Sequence, residues 1–215
     1  MFSGGIEAVF IEHPVLEPSF LYGGYPCKDL RHKFLMAAES EVHDFTDGDF
    51  PSEIELVPLY GHFFHMTGFR TPDDVVFLAD CLSSRETLEK YKIGFIYDVA
   101  EYLETLERVK SMKARMFVPA HAAAAEDIAD LAEYNIDKVK EAADFIVQLC
   151  EEPCCFEIIL QKLFSGYGLK MNFEQYVLVG STVRSYLSWL KDTGRLETSF
   201  EDNMLLWKQR QGGNL

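Results

Sequence analysis

The sequence predicts an α/β domain of layered sheet and helices, followed by a smaller unit of helices and one hairpin. Three observations carry this. Short apolar runs of strand length alternate with stretches of helical period. From Tyr97 onward the period lengthens to that of an amphipathic helix. At "EEPCC", Glu151 to Cys155, the texture changes again. A chain of 215 residues holds one domain of ordinary size and a small one.

Element by element, "GIEAVFIEHPVLEPSFLYGGYP" is punctuated by Pro14, Pro18, Gly23, Gly24 and Pro26, and is expected to form a short helix and then a loop. "LRHKFLMAAESEV" reads as a helix leading to a strand around Glu41–Phe45. A turn at Asp47-Gly48-Asp49 precedes an alternating strand, Ile54–Leu59. Thr71-Pro72-Asp73-Asp74 is a second turn, and Val75–Ala79 is an unbroken apolar run of the kind a buried strand shows. Val99, Tyr102, Leu103, Leu106 and Val109 share one helical face. "RMFVP" is another buried strand, and a long helix runs from Asp127 to about Leu149. Beyond residue 150, "FEIILQKLFSGYG" is one amphipathic helix. Asn172–Gly194 is one helix or two, with Ser181 as an internal N-cap if two. "RLETSFEDNMLLWKQ" is a hairpin turning at Glu201-Asp202-Asn203, and the tail "QRQGGNL" is expected to be disordered.

Composition narrows the function. Hydrophobic residues make up 48% of the chain and charged ones 26%, as in a globular protein with a core. A net charge of -15 argues against nucleic acid or an anionic membrane as the main partner. No signal segment or spanning apolar run is present, and five cysteines without framework spacing fit a reducing compartment, so the expected location is the cytoplasm.

Three polar residues stand at the ends of apolar strands: His62 after "IELVPLYG", Asp80 after "VVFLA" and His121 after "RMFVPA". Strand ends on one edge of an open α/β sheet converge on a common crevice. Two imidazoles and a carboxylate there form a ligand set for zinc, iron or manganese. Taken singly, each has a plain structural reading as a hydrogen-bonded strand end or a helix cap.

Taken together and in this order, "GH", "TPDDVVFLAD" and "VPAH" resemble the second half of a metallo-β-lactamase superfamily hydrolase, over about residues 1–125. The resemblance implies that His62, Asp80 and His121 are metal ligands, with Asp80 bridging two ions where the site is complete. It also implies an αββα sandwich and hydrolysis of a small-molecule ester, thioester, amide or phosphoester. The family's H-x-H-x-D-H string is not present; His13, His32 and His43 stand in unrelated contexts. The expectation is therefore an incomplete sandwich, mostly its second half, entered about one third of the way in. A partly filled or empty metal site and weak or no activity from this chain alone go with it. The domain organisation that follows is 1–125 for the partial metallo-β-lactamase-like domain, 126–150 for a connecting helix and 151–211 for a unit resembling a winged helix. The alternative is a non-catalytic binding protein derived from the fold, forming a homodimer over the sheet surface left bare.

Other candidates read as structural. His65, three residues after His62, is a loop residue or at most an outer-sphere group. Cys150, Cys154 and Cys155 lack a fourth ligand at zinc spacing and fit a buried apolar cluster. Cys81 is a small buried residue or a reactive thiol. "LYGGYP" is a turn, and Ser83 and Ser84 have no evident base. The second helix of the C-terminal unit, where a winged helix would carry its recognition residues, offers only Arg184 and Lys191, which favours packing over groove binding.

Overall fold

The computed structural model describes residues 1–210. A four-stranded mixed sheet runs in the order β1 (Glu55–Pro58), β2 (Thr67–Arg70), β3 (Val75–Ser83), β4 (Met116–His121). β1 to β3 are antiparallel neighbours, and β4 returns parallel to β3 after α3 (Arg85–Tyr91) and α4 (Val99–Ser111). The turn between β2 and β3 is tied by Arg70 bonding Asp74, whose own φ is +65°. A parallel return needs such a helical crossover, and the apolar period of α4 supplies it. Val99, Tyr102, Leu106 and Val109 are buried, as their spacing predicts, and Leu103, expected on the same face, is half-buried.

On the side of the sheet covered by helices, α4 and the long α5 (Ala129–Leu149) bury Val76, Leu78 and Phe117. α6 (Phe156–Tyr167) and α7 (Phe173–Asp192) pack on α5, and one continuous core extends from Val57 to Leu196. α7 is a single helix capped at Asn172, whose side chain accepts the Gln175 N–H; Ser181 lies inside it and caps nothing. The hairpin β5 (Leu196–Glu201) and β6 (Met204–Gln209) turns on Asp202 and Asn203, both with positive φ, the conformation a tight two-residue hairpin demands. Gln209, expected in a disordered tail, closes β6; residues 211–215 lie outside those described. No helix among the described residues is long and apolar enough to cross a membrane.

The N-terminal fifty residues depart most from expectation. The segment expected to be a loop contains a second helix, so that α1 (Gly5–Glu12) and α2 (Leu16–Tyr22) form a helical hairpin. Pro18 does not prevent this, because it falls in the first turn of α2, where its missing N–H has no helical partner. The helix expected over Leu30–Val42 does not form. Its chain makes a 3-10 turn at Lys28–Leu30 and then runs irregularly to His43, which bridges Phe2. Leu30 and Leu35 are the anchors, buried against Val177 of α7. A five-residue interval does not fit one helical face, so burial of the two leucines overrides local propensity. The helix α3, not expected, is started by Ser84, whose Oγ accepts the Thr87 N–H.

Candidate metal centre

Three backbone features bring the polar strand ends together. After β1 the chain turns at Gly61, φ +103°, and the Gly61 carbonyl accepts the N–H groups of Tyr97 and Asp98 at the start of α4. A Cβ on Gly61 would lie 2.1 Å from the Tyr102 nitrogen, so only glycine lets this loop rest on the helix. His62 is thereby held against the N-terminal end of α4. In β3, Ala79 has φ +45° and the register with β4 shifts on either side of it. A left-handed alanine is strained, and the bulge it makes re-aims Asp80 within a strand that continues to Ser83. Asp80 therefore sits inside the strand, where the apolar run had suggested its end. His121 closes β4 opposite Ser83, and its carbonyl accepts the Ser84 N–H.

The Asp80 carboxylate lies between the two imidazoles. His121 Nε2 is 3.2 Å from Asp80 Oδ1, and His62 Nε2 is 3.9 Å from Asp80 Oδ2. Burial lowers the His62 pKa below its ordinary value; the Asp80 charge opposes this, His121 reinforces it, and a hydrogen bond with the Phe95 backbone opposes it. The net result is a neutral ring near pH 7, the form that donates a lone pair to a metal. Side-chain exposure rises from 23% at His62 through 42% at Asp80 to 60% at His121, so the site opens to solvent on the His121 side. A small cavity of about 50 Å³ runs between the three, with Ser83, Tyr102 and Asn135 also in its wall.

Metal–nitrogen bonds of about 2.0–2.1 Å place tetrahedral donors roughly 3.3 Å apart. The His121–Asp80 edge has that spacing, and the His62–Asp80 edge is open by roughly half an ångström more. Among the described residues no group of three or more His, Cys, Asp and Glu is spaced to hold a metal ion as it stands. What exists is two nitrogen–oxygen pairs sharing one carboxylate, a donor set suited to zinc, iron or manganese.

Other sequence candidates lie elsewhere. The His65 ring lies tilted against Tyr60, and its backbone N–H donates to Glu7. His32 pairs with Glu174 at 2.9 Å. Cys81 is fully buried and its thiol is pushed up to about 12, mainly by burial and then by Asp80, so it is no nucleophile near neutrality. Cys150 and Cys154 are buried in the core, and the Cys154 thiol donates to the Leu149 carbonyl.

Two residues at the site escaped the reading of the sequence. Asn135 is buried on α5; its Oδ1 accepts the Ser83 N–H at 3.0 Å, and its Nδ2 donates to the carbonyls of Ser83 at 3.0 Å and Leu131 at 2.8 Å. It thus holds the end of β3 three residues past Asp80. The signal was present, since Asn135 interrupts the apolar stripe Ala132, Ile136, Val139. The second is Tyr102, buried beside Asp80 and Cys81, whose phenol is raised by burial and then by those two groups. Nothing in the α4 pattern separates it from an ordinary core tyrosine.

No protein-family model matches the chain, and no curated protein matches it. Solved structures do. A metallo-β-lactamase family protein from Thermus thermophilus superposes with a TM-score of 0.66 over 94% of this chain and 67% of its own, at 13% identity. The fold is that of the metallo-β-lactamases. A β-lactamase domain protein from Burkholderia ambifaria superposes with a TM-score of 0.59 over 83% of this chain, at 16% identity. The chain spans 56% of that second protein. At these identities the likeness speaks for the metallo-β-lactamase fold and leaves chemistry to the side chains.

Proposed function

We propose that this chain carries part of the metal centre of a metallo-β-lactamase-fold hydrolase, with His62, Asp80 and His121 as ligands. The observation that carries the reading is the Asp80 carboxylate offering one oxygen to each imidazole, at 3.2 and 3.9 Å. A divalent ion at this position, zinc or else iron or manganese, would supply Lewis acidity and an acidified water for attack on an ester, thioester, amide or phosphoester. The chain's own contribution is positional. Gly61 seats His62, the Ala79 bulge aims Asp80, and Asn135 fixes the strand end beside His121. Two imidazoles and a carboxylate leave a fourth position for water, as in a catalytic zinc site, but the His62–Asp80 edge is open, so this chain alone is expected to hold an ion weakly and to be a poor catalyst.

The sheet face turned away from α4 and α5 is covered only in part by the described residues. Phe45 and Phe50 of the N-terminal segment pack on Phe69 at one end. Toward β3 and β4 the face is bare: Phe77 is 42% exposed beside a shallow cavity of about 250 Å³ lined by Ala79, Val118 and Pro119. Phe77 also favours the second reading, a homodimer in which a second copy covers this face in a non-catalytic protein. The two helices and the hairpin after residue 150 are what supports the winged-helix reading of that unit. Arg184 of its second helix lies 3.8 Å from the centre of the Phe156 ring, an arrangement that uses its charge for packing.

The test is zinc uptake by chelator-stripped protein, read by elemental mass spectrometry after gel filtration, for the wild type and for His62→Ala, Asp80→Ala and His121→Ala. Uptake at micromolar zinc that each substitution abolishes is the expected result. No uptake by the wild type at millimolar zinc, or uptake that survives all three substitutions, overturns the assignment. Sedimentation equilibrium of wild type and Phe77→Glu decides the second reading: a dimer that the substitution converts to monomer supports it, and a wild-type monomer at micromolar concentration ends it.

A further inference from the structure

A second and larger cavity, of about 330 Å³, lies under the α1–α2 hairpin and reaches His62 and Asp80 at its inner end. Phe10, Phe63 and Phe95 line it, with Leu178 of α7 behind them. Phe10 and Phe63 belong to a wider cluster with Phe20, Phe64 and Tyr97, whose rings meet edge-on or tilted with centroids 4.1 to 6.1 Å apart. Such a cluster gives the cavity shaped walls, and its volume is that of a modest organic ligand.

The carboxylates are the charged groups of the cavity, and they are of one sign. Glu7 and Glu17 line it along with Asp80, and no lysine or arginine is among its lining residues. Glu7 Oε1 accepts the His65 N–H, while Glu7 Oε2 is buried without a hydrogen-bond partner. Burial also raises the Glu17 pKa from its ordinary value. A carboxylate oxygen shut away from water without a donor is costly, and a donor or cation entering the cavity removes that cost. Aromatic faces attract the same kind of group, since a ring presents its negative side to an ammonium. With no metal bound, an anionic ligand meets the carboxylates of Glu7, Glu17 and Asp80 and no counter-charge.

We propose that this cavity is the substrate pocket of the centre at His62 and Asp80, and that it takes an apolar amine, a ligand with an aromatic or branched aliphatic body and a cationic nitrogen, while rejecting anionic compounds. The pocket's place in catalysis rests on the metal-centre reading; its preference for cations rests only on its own lining. In this arrangement the ammonium lies between Glu7 and Glu17, the apolar body packs on Phe10, Phe63 and Phe95, and the far end reaches Asp80.

Two probes matched in shape and opposite in charge test it: 4-phenylbutylamine and 5-phenylpentanoate. Binding of each to the chelator-stripped full chain is measured by isothermal titration calorimetry. The amine is expected to bind roughly tenfold more tightly or better than the carboxylate. Glu17→Gln should reduce that ratio several-fold, and Glu17→Lys should reverse it. Neither probe binding in the millimolar range, the carboxylate binding as well as the amine, or a ratio indifferent to both substitutions overturns the proposal. Circular dichroism of each variant confirms that it is folded. His121 does not line this cavity, so His121→Ala separates the two claims. An amine preference in a chain that takes up no zinc keeps the pocket and ends the metal reading, whereas zinc uptake without the preference ends the pocket alone.

Discussion

Replacing Asn135 with leucine removes the clamp on the end of β3 while keeping the same branched heavy-atom skeleton. Three hydrogen bonds disappear, of 3.0, 3.0 and 2.8 Å, and the Ser83 N–H and carbonyl lose their side-chain partner. At about 1 kcal/mol net for each bond, the loss is about 3 kcal/mol. The cost does not climb to the full desolvation penalty of both Ser83 groups, because the small cavity beside Asn135 and Ser83 admits water. For a chain of this size, each kcal/mol lowers Tm by about 2–4 °C, so the midpoint should fall by about 6–12 °C. Ser83 also faces His121 across the β3–β4 pair, so zinc affinity should drop by about 10- to 100-fold, as it does when a group that orients a ligand is removed. Differential scanning calorimetry gives the first number and a competitive chelator titration the second. A Tm within about 2 °C of wild type would show that the clamp does not hold the strand end. A full loss of stability with unchanged zinc affinity would show that it holds the fold but not the site.

Two further outcomes follow from local geometry. Gly61→Ala puts a Cβ 2.1 Å from the Tyr102 nitrogen at φ +103°, so the His62 loop must lift from α4. Stability should fall by more than about 2 kcal/mol and zinc uptake should be lost, and a wild-type melting curve would contradict this. The second concerns pH. The Glu89 carboxyl is held down at about 2 by hydrogen bonds from Lys92, Tyr134 and Lys138. Its folded pKa is below its unfolded value of 4.5, so this contribution is complete above pH 4.5 and vanishes as the pH falls towards 2. Glu89→Gln should therefore be less stable than wild type near neutrality, with the gap narrowing across that window and in high salt. A gap that is constant with pH, read from urea midpoints, would refute the assignment.

The legible parts of this chain are those where one physical signal acts alone. Val99, Tyr102, Leu106 and Val109 mark α4 because a helix buried on one face needs that spacing. Asp202-Asn203 marks the hairpin because few side chains tolerate positive φ. His62, Asp80 and His121 stood out because polar groups at strand ends are conspicuous against apolar runs. The 28–46 segment was misread because its form is set by where Leu30 and Leu35 find burial, on a helix more than a hundred residues away. α3 was missed because its seven residues carry little apolar period, and its start depends on a single serine cap.

Residue order by itself determined most of the alternation of strand and helix and the acidic balance, and it singled out His62, Asp80 and His121 as candidates, since period, charge and residue type are local properties. Only the tertiary structure decided that His62 and His121 face opposite oxygens of one carboxylate. That arrangement needs the left-handed Ala79, the loop resting on α4 at Gly61 and the parallel pairing of β3 with β4. It alone decided that Glu7 and Glu17, far from His62 along the chain, share a cavity with it. Distances across a fold are fixed by packing between segments remote in sequence, and no local pattern records them.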